Sequence, residues 1–257
     1  MTHHRLVGPR SKIKWANKRI DDLKAAIQAF GQDGHRILRS EYDAELKRLS
    51  VVFSNCSPIP PDVSILIGEV LQHQRSALDF LIWQLIEHAG AQPSNKSCFP
   101  IFITPQGYRA RGKAVINGVS STAETLIRAN QPFQKGPAAT RDPLWMLHDL
   151  NNIDKHRALI VAGAAMLSGP KELYLSPPVD LKAWAKQYWA VRVPVEDGRV
   201  LAWFETEQRE VKAHGRVTIT IVFNEVGPAE DEPVTALLTQ LSTQISAILD
   251  SFEVCFN

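Results

Sequence analysis

From Asp62 to Ala89 apolar residues fall at Val63, Leu66, Ile67, Val70, Leu71, Ala77, Leu78, Leu81, Ile82, Leu85 and Ile86. Steps of one, three and four are helical, and these positions cover more than half of the helix circumference. A helix that apolar must be packed on several sides, so it belongs at the centre of a bundle. Asp62, directly after Pro61, is the expected N-cap. The rest of the chain has to supply the neighbours that bury this helix.

Several segments qualify. Ile13, Ala16, Ile20, Leu23, Ile27 and Phe30 form a helical seam over about 11–30, after a basic and flexible arm at 1–10. Gly31 and Gly34 mark its end. Residues 35–40 and 45–53 read as two strands of a hairpin turning around Tyr42-Asp43, and 54–61 is a Pro-rich linker. Short helices are expected near 108–117 and 121–130, and another begins at Asp142-Pro143. After Arg157 the period shortens. Residues 158–166, 190–195, 200–205 and 217–223 read as strands, with Asp197-Gly198 as a hairpin turn between the middle two. In the last strand Val217, Ile219, Ile221 and Phe223 share the face expected to be buried. The final helix carries a stripe of Val234, Leu238, Leu241, Ile245, Ile248, Phe252 and Cys255, which docks on the bundle or on a second subunit. The expected fold is α+β, a single domain over 11–257. Its helical bundle takes 11–156 and 234–255, and an antiparallel sheet takes 157–226.

The 257 residues carry a formal charge of +2, so the whole chain gives no bulk attraction for a polyanion. The longest apolar run, 158–167, is about half of a membrane span, so no membrane partner is expected. Cys56, Cys98 and Cys255 lie far apart with no CxxC pairing, which fits a reducing cytoplasm and no zinc site. Neither a P-loop nor a G-x-S-x-G elbow occurs, and Glu69 and His73 have the wrong spacing for a di-iron pair. No metal and no cofactor are expected. Trp83 and Trp145 read as core anchors. Charge is nevertheless uneven: from Arg109 to Arg141, Arg109, Arg111, Lys113, Arg128, Lys135 and Arg141 face the single acid Glu124.

Polar residues concentrate in two places. On the central helix Glu69, Gln72, His73, Ser76 and Asp79 share one stripe, and Arg75 stands four residues before Asp79. If the bundle buries this stripe, Arg75 and Asp79 must pair to limit desolvation. The second cluster is RDPLWMLHDLNNIDKHR, residues 141–157. Leu144, Leu147, Leu150 and Ile153 form its apolar face. His148, Asn152, Lys155 and His156 stack on another, where imidazole, amide and ammonium can bind a phosphate and move protons near neutral pH. Asp154 and Arg157 complete the candidate binding set with Asn152, Lys155, Arg75 and Asp79. A structural role competes with this one: Lys155, His156 and Arg157 complement the dipole at the helix end.

LIGEVLQHQRSALDFLIW (66–83), FPIF (99–102) and DPLWMLHDLNNIDKHR (142–157) resemble a widespread uncharacterised bacterial family with RSALD and NNIDKHR motifs. The resemblance spans roughly 11–160. The family pattern carries histidines where this chain has Gln72 and Phe80. More distantly, the chain is similar to HEPN domains, helical bundles that act as metal-independent ribonucleases. Their mark, an Arg followed at a set gap by a His, is met by Arg141 and His148. The resemblance implies a HEPN-like bundle that binds or cleaves RNA, with Arg141 on the scissile phosphate and His148 activating a ribose 2′-hydroxyl, assisted by His156. It also implies a site shared by two subunits, hence a homodimer that the final helix could hold together. The alternatives left open are a non-catalytic interaction module and a binder of small anions.

Overall fold

Leu6, Pro9, Ile13, Ala16, Ile20 and Leu23 continue one stripe of steps of three and four, and all are buried. In the computed structural model, which describes residues 4–32, 37–166, 173–176, 187–189, 193–215 and 218–256, this stripe is the inner face of helix α1 (Val7–Gln32). A 3-10 turn, His4–Leu6, precedes it. Residues 4–10 are therefore ordered helical chain, not the flexible arm expected at 1–10. Pro9 is tolerated because the first N–H groups of a helix have no internal partner to lose. Residues 33–36, with the start of the first expected strand, lie outside the described residues.

The chain divides into two compact units, one of residues 1–25, 61–160 and 223–257, the other of 26–60 and 161–222. The expected single domain, with the hairpin inside its bundle segment, differs from this: the hairpin belongs with the strands. Strands β1 (Ile37–Asp43) and β2 (Arg48–Ser54) pair antiparallel. Their turn lies at 44–47, later than Tyr42-Asp43, because Asp43 Oδ1 accepts from the amides of Glu45 (2.9 Å) and Leu46 (3.0 Å). Lys47 takes φ 49° to close it.

The first unit is helical. Helix α2 (Pro61–His88) buries Val63, Ile67, Val70, Leu71, Ala77, Leu78, Leu81, Ile82, Leu85 and Ile86, and takes the central place expected of it. Asp62 sits in its first turn and Pro61 is its first residue. Next come α3 (Pro105–Gly107), a π-turn (Tyr108–Gly112) and α4 (Lys113–Val115), followed by α5 (Ser121–Ala129), whose cap is Ser120. Helix α6 (Pro143–Asp154) starts where Asp142 Oδ1 accepts from Leu144 N at 2.9 Å.

Among the remaining strands are β3 (Val161–Met166), β4 (Leu173–Ser176), β5 (Gln187–Trp189), β6 (Val193–Pro194), β7 (Val200–Glu205), β8 (Lys212–Gly215) and β9 (Thr218–Phe223). They form an antiparallel β1-β2-β7-β5 sheet, a β6-β3-β9 sheet and a β4-β8 pair. Residues 190–192 and 217 of the expected strands are outside the described set. Asp197-Gly198 does not close a hairpin, since β6 pairs with β3 while β7 pairs with β2 and β5. Gly198, at φ 76°, donates instead to Phe53 O (2.8 Å), and Phe53 N donates to Arg199 O (3.1 Å), so the turn is stitched to the end of β2.

Helix α7 (Val234–Ser251) returns to the helical unit and packs on α2 and α6. Val234, Leu238, Leu241, Ile245, Ile248 and Phe252 are buried within this one chain. That apolar stripe is therefore not available to a second subunit. Gln74, fully buried on α2, ties the two helices by donating to Leu238 O (2.7 Å) and Ser242 Oγ (3.0 Å). No helix among the described residues is long and apolar enough to cross a membrane.

Candidate anion site on helix α6

Helix α6 sorts its polar residues by face. Leu144, Leu147 and Leu150 are buried, and Asn151 beside them is only 2% exposed. Asp154 leans on α2 where Gly68 leaves room: a Cβ there would lie 2.4 Å from Asp154 Oδ1. Burial raises the Asp154 carboxyl above its usual range. Just past the helix, Arg157 grips the buried Glu225 with two hydrogen bonds, 2.7 and 2.6 Å, and Glu225 Oε1 also accepts from Ile160 N at 2.6 Å. The hydrogen bond from Arg157 is the main cause that holds Glu225 below its ordinary range. Asp154 and Arg157 thus fasten the helix end to its own unit.

The other face, one helical stripe of His148, Asn152 and Lys155, looks outward. His148 is half-buried and stacks on Trp145, with ring centres 5.2 Å apart at 27°. Its Nε2 lies 3.2 Å from Asn152 Nδ2. With the amide nitrogen as donor, Nε2 is the acceptor and the ring proton sits on Nδ1. Burial, then the charges of Arg75, Lys155 and Arg111, lower the imidazole to about 4. The ring is neutral at pH 7.

The three cations differ in freedom. Arg75 Nε and Nη2 donate to Asp79 (3.1 and 2.7 Å), and Nη2 also donates to Phe99 O at 2.7 Å. Asp79 Oδ1 accepts from Phe99 N at 2.9 Å, so the pair clamps the FPIF loop rather than a ligand. Their donors and acceptors meet this loop because buried backbone polar groups must be satisfied. Only the charge of Arg75 reaches the site. Arg75 Nη1 is buried with no acceptor, and Cys98 is held above its usual range by burial and partly restored by Arg75. Arg111 is exposed, its guanidinium 5.4 Å from the Phe102 ring centre. Lys155 is exposed too, and neither it nor Arg111 has a carboxylate partner among the described residues.

The structure therefore brings His148, Asn152, Lys155 and the charge of Arg75 together. Arg141 is exposed outside the helix, before the Asp142 cap. It stands seven positions before His148, across the extended cap residue, and is not among the charges that shift it. His156 is exposed beyond the end of α6. Sequence reasoning did not single out Gln131, which is buried and holds the other half of the FPIF loop. It donates to Pro100 O (2.7 Å) and accepts from Phe102 N (3.1 Å). Arg111 had a signal, its place in the basic 109–141 stretch; Gln131 and Glu225 had none. Trp83 is 41% exposed and so is not a core anchor, while Trp145 is partly buried and stacks on the His148 ring. Among the described residues no three His, Cys, Asp or Glu side chains group as a metal site. Compared with family models, with curated proteins and with solved structures, the chain matches none of them.

Proposed function

We propose that the outward face of α6 binds the phosphodiester of single-stranded RNA, and that this HEPN-like bundle cleaves it without a metal. The observation that carries this reading is a neutral, half-buried imidazole under three positive charges, two of them on exposed side chains. Arg111 and Lys155 neutralise the phosphate oxygens. The ribose 2′-hydroxyl replaces the Asn152 amide at His148 Nε2, gives up its proton there and attacks the adjacent phosphorus. The departing 5′ oxygen takes a proton from water. A base near 4 is weak, and a bound phosphate strengthens it by stabilising the imidazolium. Arg141 and His156, exposed on either side, contact neighbouring parts of the strand.

A labelled single-stranded RNA in EDTA tests this. The wild type cleaves it and His148→Ala does not; equal cleavage by both refutes the assignment. In the R111A/K155A variant the slope of log K against log salt falls by about 1.4, because each lost phosphate contact is worth about 0.7 on a single strand. A second reading, a non-catalytic interaction module, is favoured by Arg75, Asp79 and Arg157 all being occupied by the chain's own groups. It predicts RNA or small-anion binding without cleavage. A homodimer remains part of the proposal, with its interface away from the buried stripe of α7, and light scattering after gel filtration reads it directly.

A further inference from the structure

Helix α2 has a neighbour on each side of an exposed strip. On one flank Gly68 receives the Asp154 carboxylate, and the charge of Arg75 reaches His148, both partners on α6. On the other flank Glu69 pairs with Arg19 of α1 at 2.9 Å, and a Cβ at Gly8 of α1 would lie 3.7 Å from the Phe80 ring. Between the flanks Gln72 is exposed, its amide 3.4 Å from Ser76 Oγ. Gly8, Lys12, Trp15 and Arg19 recur at steps of four, three and four, so Trp15 shares the side of α1 that borders α2. Trp15 and Phe80 are 48% and 45% exposed. Each ring has a lysine ammonium over it, Lys18 at 4.8 Å from the Trp15 centre and Lys12 at 5.3 Å from the Phe80 centre.

The charges of this face leave a positive excess. Lys12, Lys14 and Lys18 have no carboxylate partner among the described residues. Arg19 is shared by Glu69 and Asp22, and Arg5 pairs with Glu87, so five cations stand against three acids. Arg10 and Asp21 belong to the flank of α1 that meets α7, where Arg10 pairs with Asp250 and Glu253, and Asp21 with Lys24. His73, at the seam of α1 and α2, adds no charge at pH 7, because burial and then Lys12 lower its imidazole below the ordinary range.

We propose that this face carries single-stranded RNA onward from α6, with one base stacked on Trp15 and another on Phe80. The inference rests on the phosphodiester reading of α6, which supplies the start of the strand. The pairing of lysine with ring selects the occupant. An ammonium that turns to an anion bares the aromatic face it covered, and a flat group must then cover that face again. A nucleotide brings both, a phosphate for the lysine and a base for the ring. An acidic peptide brings the anion without the plane. A second copy of the chain would set like charges against each other. A bilayer surface would require continuous apolar area, whereas lysines and the polar Gln72–Ser76 strip interrupt it here. Packed helices stand about 8–10 Å apart, so a strand crossing from α6 over α2 to α1 travels at most about 20 Å.

Fluorescence anisotropy on the full chain tests this with a labelled oligodeoxyadenylate decamer, which lacks the 2′-hydroxyl and so stays intact. An abasic decamer, a dinucleotide and an oligoglutamate peptide serve as comparisons. The decamer binds more tightly than any of them. Trp15→Ala and Phe80→Ala each weaken decamer binding by at least about fivefold, the lower end for a lost base stack, and leave dinucleotide binding unchanged. Trp15→Phe keeps a stacking ring and most of the affinity, which separates lost stacking from lost folding. In K12Q/K18Q the slope of log K against log salt falls by about 1.4, about 0.7 for each phosphate contact. Equal binding of the abasic decamer, or tighter binding of oligoglutamate, overturns the proposal. Wild-type decamer affinity in both alanine variants, with a loss in R111A/K155A, also overturns it and leaves the α6 reading standing. The reverse pattern supports this face and overturns the α6 reading instead.

Discussion

His148 offers the sharpest quantitative test, by titrating it with and without a phosphate anion. Free, its imidazole lies at about 4 against an ordinary 6.5. That difference corresponds to about 3 kcal/mol between the protonation states, and solvent screening at a half-buried ring brings its share of stability to roughly 1.5 kcal/mol. The folded value is depressed, so the native state favours the neutral ring. Its stabilising contribution is full above pH 6.5 and is lost as pH falls from 6.5 toward 4. An anion seated on Arg111 and Lys155 acts in the opposite direction. One negative charge about 5 Å away, at an effective dielectric near 40, contributes about 1.7 kcal/mol, which raises the imidazole by about one pH unit. Carbon-13 NMR of the His148 Cε1 resonance, assigned with H148Q, reads both numbers. Inorganic phosphate or a dinucleotide moves the midpoint from near 4 to near 5 or above, and R111A/K155A abolishes that movement. A midpoint near 6.5 in the free protein, or one indifferent to phosphate in the wild type, refutes the electrostatic reasoning.

Two stability measurements examine the fastening of the same helix. Arg157→Ala leaves the buried Glu225 with only the Ile160 amide, and is expected to destabilise the protein, less than the loss of a fully buried pair would because Arg157 is itself half-exposed. The melting temperature of the variant falls below that of the wild type at neutral pH. Because Glu225 is depressed in the folded state, the wild type keeps this advantage above pH 4.5 and loses it at lower pH; an advantage that grows with acid contradicts the pairing. Gly68→Ala puts a methyl group against the Asp154 carboxylate and destabilises by about 1–2 kcal/mol, despite the better helix propensity of alanine. Combined with Asp154→Ala the same change is harmless or stabilising in urea melts, and equal effects in both backgrounds would show that the two residues do not touch.

Local periodicity made much of the fold legible. Helix α2 was readable because its apolar positions cover so much of one continuous segment, and α6 because Asp142-Pro143 announces its start. The first turn of α1 was not, because Pro9 reads as a breaker and only its burial with Leu6 shows that it extends the stripe. The turn at Asp197-Gly198 has hairpin chemistry, yet β6 and β7 pair elsewhere. Partner choice among strands is a long-range matter that a two-residue signal does not encode. Within the candidate site, His148, Asn152 and Lys155 were visible by their shared helical face. Gln131 was invisible because its partners are backbone groups, which look alike in every sequence. Glu225 meets Arg157 across 68 residues, a distance over which no periodicity speaks.

The division of labour around His148 follows from which donors are already bound. Arg75 cannot turn toward a ligand without releasing Asp79 and the Phe99 carbonyl, and removing either partner would strand a buried charge. It therefore acts as a fixed charge, set in place when the FPIF loop folds, and requires no reorganisation when an anion arrives. Arg111 and Lys155 have no such obligations and can close on the anion, losing side-chain freedom as they do so. The same reasoning explains why NNIDKHR is so dense in polar groups. One face of that segment must tie α6 to Gly68 and Glu225, while the other must hold the Asn152 amide on the imidazole and keep the Lys155 ammonium free of a carboxylate among the described residues. A helix repeats every 3.6 residues, so both tasks fit into a little more than two turns only if nearly every position there is polar.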